Sequence, residues 1–128
     1  MTIHKIKDIG ILEIISDDIV LWCANDGIEI DMYKFQSLLK EINRLYPSGA
    51  KLIIDRRHRY SVTFDVMFIK PRVQEIIAMA FIVYTRLGMI NAEMQMRISK
   101  SISKKPVRIF NSDQGIESAV TWLKDQQP

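Results

Sequence analysis

The sequence predicts an α/β layer sandwich built on a central mixed sheet of five strands, with about four helices, and three observations carry that expectation. Apolar runs at residues 10–15, 19–24, 50–55, 78–84 and 107–110 read as strands, some alternating and some continuous. Between the later runs the apolar residues change to helical spacing, as at Phe35, Leu38, Leu39, Ile42 and Leu45. Strands that alternate with helices after an opening hairpin call for parallel pairing with right-handed crossovers.

In chain order, residues 1–8 carry His4, Lys5, Lys7 and Asp8 and are expected to be a flexible N-terminus. Asp17 and Asp18 divide two runs in which Leu12, Ile14, Val20 and Trp22 alternate, which predicts the hairpin. Asp31 is a good N-cap for the first helix, and Tyr46, Pro47, Ser48 and Gly49 stop it. Ala50 to Asp55 is nearly all apolar, the pattern of a strand covered on both faces. Thr63 followed by Asp65 predicts a short helix start, and Pro71 requires a break with a second turn beginning there. A further strand at Ala78 to Thr85, a helix from about Arg86 to Ser101, a strand at Val107 to Phe110 and a last helix from near Ser112 complete the order.

At 128 residues the chain is expected to be one domain over 1–128, and 48% apolar with 26% charged residues argues against long disordered tracts. The net charge of +3 is modest, but the basic residues gather at 56–59, at Lys70 and Arg72, and from Arg97 to Arg108, so local potential matters more than the total. The lone Cys23 lies in an apolar run, which excludes an intrachain disulfide and suits a reducing cytoplasm. The longest apolar run, at 76–84, is far shorter than the roughly 20 residues a membrane span needs, so no span is expected. The cations from Arg97 to Arg108 come without aromatic stacking residues and fit a helix C-terminus, so nucleic acid is not an expected partner.

The stretch LIIDRRHRYSVTFD at 52–65 concentrates the chemistry. Open α/β sheets bind ligands beyond the carboxyl ends of their strands, where this stretch falls. Asp55, Arg56, Arg57, His58, Arg59, Ser61 and Thr63 are therefore the candidate ligand or anion site, with the N–H groups of a helix start near Thr63 as extra donors. Catalysis is not expected: His4 and His58 have no nearby nucleophile or metal partners in sequence, and GxGxxG and Walker loops are absent. No cofactor or metal is expected either.

The order of elements, together with KLIIDRRHRYSVTFD and KKPVRIFNSDQGIESAVTWL, resembles the SpoIIAA-like, or STAS-like, proteins, small α/β domains that share broad architecture with the lipid-binding CRAL-TRIO fold. The resemblance runs over residues 10–124. Antagonists of that family carry a phosphorylatable serine or threonine straight after the strand-ending aspartate; here Asp55 is followed by Arg56 and Arg57, and the nearest hydroxyls are Ser61 and Thr63. What the resemblance implies is a non-catalytic regulatory or interaction module acting through protein contacts, with an anion or phospho-switch loop at 55–65. Its alternative implication is a carrier or sensor of a small apolar or amphipathic, lipid-like ligand.

The helix from Arg86 holds two apolar stripes. Leu87, Ile90, Met94 and Ile98 are expected to face the sheet, leaving Met89, Ala92 and Met96 as an outward interface, most simply for a homodimer. A cavity beneath this helix favours the carrier, and a tightly packed one favours the module.

Overall fold

Tight turns between β-branched runs let the chain open as an antiparallel meander. In the computed structural model, which describes residues 2–68 and 76–127, β1 (Thr2–Ile6) pairs with β2 (Gly10–Ile14), and β2 with β3 (Ile19–Ala24). The expected hairpin is therefore present, but the N-terminus is not a flexible tail. Residues 2–6 are the edge strand, with Thr2 opposite Ile14 and Ile6 opposite Gly10. An edge strand pairs on one side only and keeps polar residues in water, so its composition reads like a tail.

The rest of the sheet is parallel. β3 pairs with β5 (Ala50–Asp55), β5 with β7 (Ile76–Val83), and β7 with β8 (Val107–Asn111). The sheet thus has six strands rather than five, in the order β1-β2-β3-β5-β7-β8. A separate parallel pair joins β4 (Ile28–Ile30) to β6 (Tyr60–Val62). Both are three residues long, too short to show a period, and so Tyr60–Val62 read as loop.

The helices among the described residues follow the expected order. α1 (Met32–Leu45) starts where the Asp31 carboxylate accepts from the Lys34 N–H at 2.9 Å. α2 (Phe64–Met67) is a single turn, and the Thr63 hydroxyl donates to Asp65 rather than capping it. The break and turn expected at Pro71 lie outside the described residues. α3 (Arg86–Ile102) is capped by Thr85, whose hydroxyl accepts from the Gly88 N–H at 3.0 Å. α4 (Gly115–Lys124) begins after a turn at 112–114.

Alternation along the strands sends side chains to two cores. Leu12, Val20, Trp22, Leu52, Ile54 and Phe81 pack against α1 and α3, whereas Ile19, Leu21, Cys23, Ile53 and Ile82 pack against α4. On α3 the two stripes are reversed from expectation. Ala92 is fully buried and Met89 and Met96 pack on the core, while Leu87, Ile90 and Met94 are 57%, 51% and 44% exposed. The small Ala92 lets the helix backbone approach the sheet closely, and the unbranched methionines fill the irregular space beside it. The proposed interface of Met89, Ala92 and Met96 is therefore core.

Candidate functional site

β5 runs out at Asp55, and the residues after it divide between the two faces of the sheet. Asp55 is buried and takes the Arg57 guanidinium, Nε to Oδ2 at 2.9 Å, and also the Arg57 backbone N–H at 3.1 Å. That ion pair lifts the Arg57 pKa further above its ordinary value, chiefly through the hydrogen bond to Asp55. Burial, with help from Asp55, pushes the nearby Tyr84 phenol up to about 12. Asp55 thus anchors the loop and is not offered to a ligand, and Arg57 contributes little net charge outside.

Arg56 turns the other way. Its guanidinium lies 4.3 Å from the Tyr60 ring centroid and donates to the Tyr60 hydroxyl at 2.9 Å. Burial drives the Tyr60 phenol up to about 12 although Arg56 pulls against it, so this partner stays neutral near pH 7. Arg59 is held by its backbone: its N–H donates to Asp26 at 3.1 Å, and its carbonyl accepts from Gly27 at 2.6 Å. Neither Arg56 nor Arg59 takes part in an ion pair among the described residues. They supply positive potential to an open groove of about 450 Å³ running from this loop to the first turn of α3.

Of the seven residues expected at the site, Arg56, Arg57, His58, Arg59 and Ser61 line this groove. Asp55 lies beneath it. Thr63 is not on the lining, and the single turn of α2 gives no helix terminus for an anion. Tyr60 of the same loop also lines it, and Gly27, Ile28, Thr85, Leu87, Gly88 and Asn91 complete the groove; these six were not foreseen, because their proximity comes from the β4–β6 pairing and the placement of α3. The basic run from Arg97 to Arg108 stays apart from it; Arg108 lies 5.0 Å from the Phe110 ring.

A second space lies beneath α3, bounded by α1, α2 and the sheet and partly open to solvent. It measures about 140 Å³ and is bordered by Leu38 and Ile42 of α1 and by Leu52, Ile54 and Phe81 of the sheet. Its origin is local: the inner face of α3 beyond Ala92 presents Gln95 and Ser99, too short to fill the gap over large apolar sheet residues. Gln95 Oε1 is 3.5 Å from Arg56 Nη1, which also holds Tyr60, so two of the polar side chains on the lining are tied to one guanidinium. Trp22, stacked edge-on against Tyr60 at 5.0 Å between centroids, also borders the cavity, and its buried indole N–H has no acceptor among the described residues. In the sequence Trp22 reads only as part of an alternating strand; a void has no periodic signal.

Among the described residues no group of three or more His, Cys, Asp or Glu side chains is placed to hold a metal, and no helix is long and apolar enough to cross a membrane. Compared with known proteins, the chain matches no family model, no curated protein and no solved structure.

Proposed function

We propose that the protein is a non-catalytic sensor or carrier of a small apolar ligand, held in the cavity beneath α3, and that it belongs with the STAS-like, CRAL-TRIO-related domains it resembles. The observation that carries this reading is the cavity itself, an apolar space of about 140 Å³ between helices and sheet. Filled cores are the rule, and voids of this size are few in a domain and cost stability. A space of roughly 150 Å³ is enough for a benzene-sized guest. The lone buried thiol, which burial pushes upward and so keeps unreactive, fits a reducing, cytoplasmic setting. Catalysis is disfavoured because Asp55, the nearest carboxylate for His58 in sequence, is committed to Arg57.

Native mass spectrometry of protein freshly purified from its own host tests the reading. A retained mass of small-molecule size supports it. Ser99→Leu, which fills the cavity, is expected to abolish that mass while leaving the chain folded; a retained mass unaffected by Ser99→Leu counts against it.

A second reading, a protein contact, is favoured by the groove. Arg56 and Arg59 lie beside the exposed Leu87, with Ile90 and Met94 on the following turns of α3. Cations beside an apolar stripe complement an acidic segment of a partner protein. Ser61 is exposed on the same lining, so a phosphate there would meet Arg56 and Arg59. Arg56→Ala with Arg59→Ala should weaken such binding without lowering the melting temperature by more than a few degrees. Homodimerisation, previously assigned to the inward-facing stripe, is decided by sedimentation: Leu87→Glu with Met94→Glu should dissociate a dimer formed on the outward one.

A further inference from the structure

Arg56 and Arg57 are neighbours on the groove lining, yet only Arg57 is neutralised, by the buried Asp55. Arg56 is half-buried and is held by uncharged groups instead. Its Nη1 donates to the Tyr60 hydroxyl at 2.9 Å and lies 3.5 Å from Gln95 Oε1, and its Cζ sits over the Tyr60 ring, 4.3 Å from the centre. The Nε–H and both Nη2 hydrogens find no acceptor among the described residues. Nε and Nη2 form the planar edge of a guanidinium that fits two oxygens of one anion. A guanidinium drawn partly out of water without a counter-charge is costly, and one already fixed in orientation loses less entropy on receiving an anion.

We infer that the groove is a binding site for a small phosphate monoester with a hydroxylated body, its phosphate oxygens on the Nε–Nη2 edge of Arg56 and its second charge met by Arg59. The site stands apart from the cavity beneath α3, and its occupant is a small molecule where the second reading above names a protein segment. Size favours the small molecule: the groove holds about 450 Å³, within the roughly 300–1,000 Å³ of ligand pockets. Charge favours a dianion. No Asp or Glu stands on the lining, and the carboxylates beside the loop are engaged, Asp55 by Arg57 and Asp26 by the Arg59 backbone N–H. Arg56 and Arg59 thus leave two permanent charges, and a phosphate monoester carries about 1.5 to 2 at pH 7. The other walls select the body. Ser61 and Asn91 make no side-chain hydrogen bond among the described residues, and Thr85 keeps its O–H after accepting from the Gly88 N–H. Hydroxyl groups pair with all three, while Ile28 and Leu87 meet carbon.

Glucose 6-phosphate and glucose 6-sulfate share a body and differ in the charge of the head, so each is titrated into the ¹⁵N-labelled full chain. The phosphate ester should shift the amide resonances of His58, Ser61 and Gly88 saturably, half-saturating below about 1 mM, the affinity that two charge-assisted contacts supply. The sulfate ester, and inorganic phosphate without the body, should each bind at least about threefold more weakly. Arg56→Lys keeps the charge and loses the planar edge, and should weaken the phosphate ester about tenfold or more. Arg97→Gln, off the groove, should change it by less than about twofold. A phosphate ester that does not saturate, that Arg56→Lys binds as well, or that inorganic phosphate or the sulfate ester matches, overturns the inference. So does an equal loss in Arg97→Gln. An acidic peptide that shifts the same amides when the phosphate ester does not also overturns it, and leaves the protein-contact reading standing; none of these results bears on the cavity. Should Arg56→Lys fail to fold, Arg59→Gln replaces it, with an expected loss of about threefold or more and an unchanged affinity as the contradicting result.

Discussion

Lys51 points into the α4 side of the sheet from β5, and its buried ammonium is 3.1 Å from the half-exposed Asp18 carboxylate. Burial alone would raise the Asp18 pKa, but hydrogen bonds from Lys51 and Ser16 outweigh it and hold it below its ordinary 3.8. A carboxylate lowered on folding stabilises the native state above its unfolded pKa, and the contribution disappears as pH falls through the lower folded value. Asp18→Asn is therefore expected to cost about 1 kcal/mol at pH 7, less than a fully buried charge-assisted hydrogen bond because water screens the half-exposed carboxylate. The deficit should shrink as pH falls below the ordinary 3.8 and through the lower folded value, as followed by urea denaturation across pH. Gly10 is constrained by space: a Cβ built there would stand 2.2 Å from the Cys23 carbonyl oxygen, with φ at 155°. Gly10→Ala must push β2 away from β3, and we expect a loss of more than about 2 kcal/mol in a thermal or denaturant melt. Neither constraint was readable beforehand. Lys51 looks like an interruption in an apolar strand, and Gly10 like an ordinary turn residue, until the register places Asp18 and Cys23 beside them.

At the scale of the element, α3 shows where periodicity reaches its limit. The sequence revealed two apolar stripes, and bulk pointed to Leu87, Ile90, Met94 and Ile98 as the inward one, wrongly: closeness to the sheet selected the stripe containing Ala92. Glutamate substitutions separate the two faces. Met89→Glu with Met96→Glu puts two charges against the core and should cost more than about 3 kcal/mol, enough to unfold a marginal domain. Leu87→Glu with Met94→Glu alters exposed positions and should change monomer stability by less than about 1 kcal/mol, by circular dichroism melts at low concentration. The strands that were legible, such as Ala50–Asp55, are continuous apolar runs. Those that were not, β1, β4 and β6, are edge or three-residue strands held by pairing more than by burial.

Across the whole molecule, the mixed α/β architecture was legible because burial on both faces imposes long apolar runs on β3, β5 and β7, and helical spacing on what covers them. The candidate site was legible in part. The arginine-rich loop was found from its place at the end of β5, but its pairing was not: Arg57, although on the groove lining, is neutralised by the buried Asp55, while Arg56 and Arg59 are in no ion pair among the described residues. The cavity left no trace in sequence, since it arises where Gln95 and Ser99 face Leu52 and Phe81 across the layers. Its existence as an accessible apolar space is the central claim. Crystals of the protein under xenon pressure test it most directly, because xenon enters dry apolar cavities without needing a polar partner. The account predicts a single strong xenon peak bounded by Leu38, Leu52 and Phe81, absent in Ser99→Leu; no xenon there, with side chains closed over the space, would contradict it.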